Sequence, residues 1–461
     1  MAKRIALFGG SFNPPTRLHE AVARLAAAHF DGVHVIPCGR RPDKESVDDV
    51  SPGHRAAMAD LAFGGLPRVH VLLDDLERDV FTRTAELDAR FRSAGDEVWH
   101  VVGSDLLAGG ARGASEIQAR WLGGRELWER LNFAVVRRAP YPLAPDDLPP
   151  HARILGDTPE GSSTQARDRL FHRQAADDLL SPAVAAYAAR WRLYRGAPPP
   201  DQAVVVSDVL QRPLALADPE KPDAMHLAAQ IQAAAPPGPP TCIAVIGGDG
   251  FFLEMLRAHG RRRLPFVGLN AGHRGFFMNR LPPDPRAFFA RTDLRMRRTP
   301  FLRVRIERAD GSAREHVAVN DAWLERASGQ TAWLRVSVDG QERIACLRAD
   351  GAIVATPIGS TGYVRAMGAA PLFDVPGLVL AGSNVDQPLG WKPVNLPSDT
   401  MIRFELLDAD KRPVRAMVDS LDLGPAAAME VRGSRTAAAE LVFAPEDDLP
   451  VKRLAFQFPS A

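Results

Sequence analysis

Apolar residues are distributed in two regimes along the chain. Up to about residue 294, short apolar runs alternate with longer stretches in which apolar positions recur every three or four residues, the pattern of buried parallel strands joined by amphipathic helices. Beyond that point the chain turns to short alternating segments such as 302–306, 332–338 and 401–406, which predict a β-rich region. The first regime opens with a strand at 3–8, broken by Gly9-Gly10-Ser11-Phe12-Asn13-Pro14-Pro15, then a helix over about 17–29 and a strand at 33–37. A βαβ unit of this kind places any ligand at the carboxyl ends of its strands, beside the first helix N-terminus. Further strands at 99–102 and 133–136 end at Gly103-Ser104-Asp105 and Arg137-Arg138. The stretch 161–167 predicts a helix capped by hydroxyls with Arg167 one turn inside.

After an apolar-rich segment at 179–196, the prolines at 198–200 form a short extended spacer, and a domain boundary is placed there. A strand at 203–207 and a helix around 222–235 follow. The proline tract 236–240 reads as a surface loop rather than a second linker, because it separates that helix from the strand at 242–246. Gly247-Gly248-Asp249-Gly250 interrupts the strand before an amphipathic run begins at Phe251. Glycines let backbone approach a phosphate, and the amides opening the helix supply donors. A carboxylate in such a turn is unfavourable unless Asp249 caps the helix, takes a proton or holds a metal ion. A strand at 266–270 and a turn at 271–275 lead to Phe276 and Phe277. Whether the last strand, near 441–443, returns to pack on the α/β half is left open by the pattern.

Charge alters this picture little. The 461 residues carry 57 basic and 56 acidic side chains, net +1, so bulk charge indicates neither a nucleic-acid nor a membrane surface. Cys38, Cys242 and Cys346 lack metal-ligand spacing, and no apolar run reaches membrane-spanning length. A soluble, cytoplasmic protein of two or three domains is expected.

Four blocks in the second half, Gly247-Gly248-Asp249-Gly250, the stretch 268–277, Val319-Asn320-Asp321 and ADGAIVATPIGSTGY at 349–363, resemble the NAD kinase family in order and spacing. The resemblance implies phosphoryl transfer to the adenosine-ribose 2′-hydroxyl of NAD. By that resemblance Asp249 is the general base, with Gly248 and Gly250 around the phosphates and Phe276 beside the dinucleotide. Asn320 and Asp321 stand where the family has Asn-Glu, Asp350 matches a nicotinamide-side aspartate, and Thr356, Ser360 and Tyr363 match the substrate-binding turn. For Ser360 and Thr361 ordinary turn capping is the alternative reading. Phe251 replaces a small hydroxyl residue, Arg274 an apolar one, and 381–391 lacks the family's histidine. A homo-oligomer through this half is implied by the same resemblance.

The first half resembles the nicotinate or nicotinamide mononucleotide adenylyltransferase family, through GGSFNPPTRLHE at 9–20, SSTQAR at 162–167 and the closing segment 179–196. The resemblance implies that Gly9, Gly10, Ser11, Phe12, Thr16, His19, Ser163, Thr164 and Arg167 bind ATP, with His19 catalytic, and that Thr84, Asp105 and Trp121 serve the acceptor mononucleotide. Taken alone, a His at position 19 is more often a satisfied core or surface residue, and Trp121 reads equally as a packing residue. Leu18 departs from the family by standing where it has glycine. Adenylyl transfer needs phosphates aligned and their charge neutralised, which suits hydroxyl, imidazole and guanidinium donors, with magnesium carrying the remainder.

The expectation is therefore an α/β protein: a Rossmann-like nucleotidyltransferase domain at 1–196, a proline linker at 197–202, an NAD kinase-like α/β domain at 203–295 and a β-rich domain at 296–461. Its ligands would be ATP with Mg2+, a mononucleotide and NAD, and no dedicated metal site is assigned. The rival reading is a regulator that senses NAD or ATP with one degenerate domain. A lipid or sugar kinase is disfavoured by the TPIGSTGY turn.

Overall fold

The computed structural model describes residues 2–41, 50–139, 141–196, 204–205, 210–271, 275–372 and 375–457. The expected linker at 197–202 lies outside the described residues, as does Arg274. The chain divides into two compact units, Met1–Pro200 and Asp201–Ala461.

In the first unit, six strands among the described residues form one sheet: β1 (Arg4–Gly10), β2 (Gly32–Pro37), β3 (Val69–Val71), β4 (Glu97–Gly103), β5 (Asn132–Arg138) and β6 (Ala152–Thr158). Their order is β3-β2-β1-β4-β5-β6, all neighbours parallel. Strands covered on both faces must be apolar throughout, and Val33, Val35, Val98, Phe133, Ala134 and Val135 are fully buried. The helix Arg17–His29 packs Leu18, Val22, Ala23, Ala26 and Ala27 inward, a stripe at helical spacing. The strand order reverses between β1 and β4, which opens a crevice beyond their carboxyl ends. The loop after Gly10 and the turn after Gly103 both emerge there.

In the second unit, Pro213–Ala217, Cys242–Gly247 and Phe266–Asn270 pair in parallel. The long strand Ala428–Phe443 returns to this layer, Leu441 and Val442 pairing with Phe266 and Val267, so the end of the chain does close onto the α/β part. Further along, the same strand pairs antiparallel with Arg295–Glu307 and Ile402–Leu406. A separate antiparallel sheet runs Val394–Leu396, Leu378–Ser383, Gly351–Ala355, Asp321–Arg326, Val414–Val418, Leu421–Ala426. One apolar cluster, including Leu302, Val304, Leu324, Leu334, Val354, Phe404 and Val431, joins residues of both sheets. Each fully buried side chain of this size contributes about 1.5–3 kcal/mol. No helix among the described residues is long and apolar enough to cross a membrane.

Candidate functional site

In the first unit the loop after β1 is fixed by the residues that follow it. Phe12 adopts a left-handed φ of 44° and packs edge-on against Phe8, His19 and Phe63. Thr16 precedes the helix Arg17–His29, and its amide donates to His19 Nδ1 at 3.0 Å with its hydroxyl at 2.8 Å from the same nitrogen. A backbone N–H can only donate, so Nδ1 is the bare acceptor and the neutral ring carries its proton on Nε2. Burial, and then the Arg138 guanidinium, push the His19 pKa down to about 4. Arg138 is in turn paired with Asp105 at 2.9 Å, whose Oδ1 is buried with no hydrogen-bond partner among the described residues. Leu18 lies on the inner face of the helix, so the side chain that replaces the family glycine points into the core.

The hydroxyl-rich second motif grips the same loop. Ser162 accepts from the Gln165 amide as the expected cap, whereas Ser163 donates to the Pro14 carbonyl at 2.8 Å and Arg167 to the Asn13 carbonyl at 2.7 Å. Arg167 also donates to Thr164 Oγ1 at 3.2 Å, and Tyr194 donates to Asn13 Oδ1 at 2.6 Å. Thr84 opens the helix Thr84–Ser93. Trp121 packs against the cluster containing Leu127, Trp128 and Phe133. Among the described residues no hydrogen bond or ring contact joins Thr84 or Trp121 to the His19 group.

In the second unit Cys242–Gly247 is wholly buried and ends at the glycine turn. Asp249 is the first residue of the helix Asp249–His259 and Gly248 is its N-cap. Asp249 therefore does not cap that helix; its two oxygens accept from the amides of Phe276 at 2.7 Å and Phe277 at 2.9 Å. Phe251 is half-buried and packs beside Gly247.

The Asn320–Asp321 pair sits at the start of Asp321–Arg326, facing the 356–361 turn. The Asn320 carbonyl accepts from the Thr356 amide at 2.8 Å and from its hydroxyl at 3.1 Å, while the Asn320 Oδ1 is buried with no hydrogen-bond partner among the described residues. Burial and then Asp419 push the Asp321 pKa up to about 7. Ser360 is fully buried, donating to the Pro357 carbonyl at 2.6 Å and accepting from the Leu372 amide at 2.9 Å. Thr361 donates to the Ile358 carbonyl, so both hydroxyls serve the turn itself. Asp350 pairs with Arg326 at 2.7 Å and accepts from Asn384 at 2.7 Å. Tyr363 is exposed, its ring 5.5 Å from that of Trp323.

Several residues at these sites carried no readable signal in the sequence. Asp419 accepts from the amides of Val319 and Asn320 at 2.7 Å each and lies 3.7 Å from Arg257. Lys221 lies over Gly248, its Nζ 3.4 Å from where a Cβ would stand, and 3.7 Å from Asp218. Arg55, buried under the first unit's loop, donates to the carbonyls of Ser11 and Cys38. Among the described residues no group of three or more His, Cys, Asp or Glu side chains is arranged to hold a metal ion.

Residues 7–169 match the family model described as cytidylyltransferase-like. The second half is similar to NAD kinases: the enzyme of Caulobacter vibrioides is 35% identical over 221 residues, 47% of this chain and 83% of that protein. That of Mesorhizobium japonicum is 36% identical over 222 residues, with 47% and 84% covered. Among solved structures, an NAD kinase from Archaeoglobus fulgidus in complex with ATP matches at 22% identity, covering 44% of this chain and 78% of that one, with a TM-score of 0.36. Behind a cytidylyltransferase-like first half, this chain belongs to the NAD kinase family.

Proposed function

We propose that the chain carries out two successive reactions: its first unit joins the adenylyl group of ATP to nicotinate or nicotinamide mononucleotide, and its second phosphorylates NAD at the adenosine-ribose 2′-hydroxyl. The observation that carries the kinase reading is Asp249 itself. Two amides fix the carboxylate directly after a glycine turn, and each oxygen keeps a lone pair to take the hydroxyl proton. The orphaned Asn320 oxygen supports a ligand donor at that point, since an unmet buried acceptor costs about 1–3 kcal/mol. Asp321, titrating near neutrality, can donate as a carboxylic acid to a sugar hydroxyl.

For the first unit the support is the tautomer of His19. With Nδ1 occupied, Nε2–H is a fixed donor available to a phosphate oxygen, and Arg138 adds charge beside it. Ser163 and Arg167 hold the loop that presents this donor. ATP enters both sites as its magnesium complex, the ion travelling with the phosphates. On this reading the protein works in the cytoplasm.

A chromatographic product assay tests both halves: purified full-length chain, MgATP and each mononucleotide in turn, then MgATP with NAD. Formation of NAD and then NADP is expected. Absence of both products, with added NAD untouched, would overturn the reading in favour of a nucleotide-binding regulator.

A further inference from the structure

We propose that the C-terminal helix Leu449–Gln457 is a brace for the kinase site, in which Lys452 fixes the segment that holds Asp249 and Arg453 fixes the 356–361 turn. The inference rests on the kinase reading above. Lys452 Nζ donates to the carbonyls of Phe276 at 2.9 Å and Met278 at 2.5 Å. The Phe276 carbonyl belongs to the same peptide group as the Phe277 amide, which binds the Asp249 carboxylate together with the Phe276 amide, and the Met278 carbonyl follows in the same segment. The neighbouring Arg453, buried, donates to the Pro357 carbonyl at 3.1 Å. Two successive cations of one helix thus reach the two turns between which the NAD ribose would lie.

The helix is itself firmly seated. Asp448, before its first turn, accepts from Arg297 Nε at 2.6 Å and Nη2 at 2.9 Å and from the Leu449 amide. Asp447 accepts from the Arg280 amide at 2.7 Å. Leu449 shares an apolar cluster with Phe277 and Ile358, one residue from each segment. A purely apolar helix face would have filled this space at less cost than a largely desolvated ammonium. Burial pushes Lys452 down to about 8, against Asp447, Asp249 and Asp448, which push it up, and with Arg280, which pushes it down. An ammonium engaged by two backbone carbonyls near the Asp249 carboxylate is explained by the position it gives that proposed base.

The test uses the full-length chain with Lys452→Met, Lys452→Arg and Arg453→Met, followed by amide hydrogen exchange and by steady-state NAD phosphorylation. Lys452→Met is expected to speed exchange at Phe276 and Phe277 by about tenfold and to lower kcat by about tenfold to a hundredfold, with KM for NAD within about twofold. Lys452→Arg restores most of both, and removes a fall in wild-type kcat above about pH 8. Arg453→Met is expected to act on exchange at 356–361 and on KM. Unchanged exchange at 276–277 in Lys452→Met overturns the brace, whatever the thermal stability does. Faster exchange with kcat unchanged overturns its role in catalysis. A wild-type chain that makes no NADP defeats the kinase reading instead, and the exchange data still decide the brace.

Discussion

The Asp321 amide donates to the Asp419 carboxylate at 3.3 Å, placing two buried acids side by side beneath the Asn320 turn. Asp419 and Ser420 both have left-handed backbone, φ 45° and 68°, in the two-residue turn joining Val414–Val418 to Leu421–Ala426. That conformation costs about 1–2 kcal/mol per non-glycine residue, and its return is a carboxylate aimed at three successive amides.

Because Asp321 is raised to about 7 in the fold, the native state binds a proton that the unfolded chain releases near 3.8. Stability contributed by the protonated acid is therefore complete below about pH 4 and declines as pH rises to about 7. Asp321→Asn is expected to flatten this part of the profile and to stabilise the chain at pH 8 by up to about 4 kcal/mol. Denaturant titrations of both forms from pH 4 to 8 check this; parallel profiles would show that Asp321 titrates normally.

The alternation of apolar runs and glycine turns revealed the parallel layers, the β-rich second half and the turn at 247–250, since these follow from short-range periodicity. Partners distant in the chain were hidden. Asp249 meets Phe276 across 27 positions, Asn320 meets Asp419 across 99, and Lys452 meets Phe276 across 176. Nothing local announces such hydrogen bonds. The Asp419-Ser420 turn was equally unreadable, because it lacks the Asn-Gly that ordinarily marks a left-handed pair. Turn capping by Ser360 was readable as an alternative, and Ser163 as a hydroxyl at a helix start, but not that Ser163 would be engaged by the Pro14 carbonyl, 149 positions away.

Gly275 provides a steric test of the acid's position. A Cβ there would run into the Met278 side chain and stand 3.1 Å from Asp249 Oδ1. Gly275→Ala is expected to destabilise the second unit by about 1–3 kcal/mol and to slow NAD phosphorylation by about tenfold to a hundredfold. Thermal melts and NADP formation at saturating NAD measure the two effects. Full activity would mean that Asp249 tolerates displacement and is not the base.

His19 makes the opposite pH prediction to Asp321. Its pKa is lowered to about 4, so between pH 4 and 6.5 the unfolded chain binds the proton that the native ring refuses. The stability tied to neutral His19 is complete above about 6.5 and is lost as pH falls toward 4. His19→Gln should remove that loss. In the wild type, adenylyl transfer should show no His19 titration between pH 5 and 8, because the Nε2–H donor persists throughout. A rate that falls with an apparent pKa near 6.5, abolished by His19→Gln, would mean that the ring is exposed and the Thr16 contacts do not fix it.

Asp249→Asn separates chemistry from architecture. Asparagine keeps one oxygen to accept from Phe276 or Phe277, so the segment and NAD binding should persist, with Kd within a few-fold of the wild type. It cannot take the 2′-hydroxyl proton, and loss of a general base costs about 10²–10⁴ in rate. NADP formation should fall by that factor, while NAD formation from mononucleotide and MgATP, assigned in the proposed function to His19 and Arg138 of the other unit, should stay within about twofold. Calorimetric NAD binding beside the two product assays distinguishes the cases. Retained NADP formation would assign the proton to another acceptor, and Asp321, the buried acid of the same unit raised to about 7, would then be the residue to substitute.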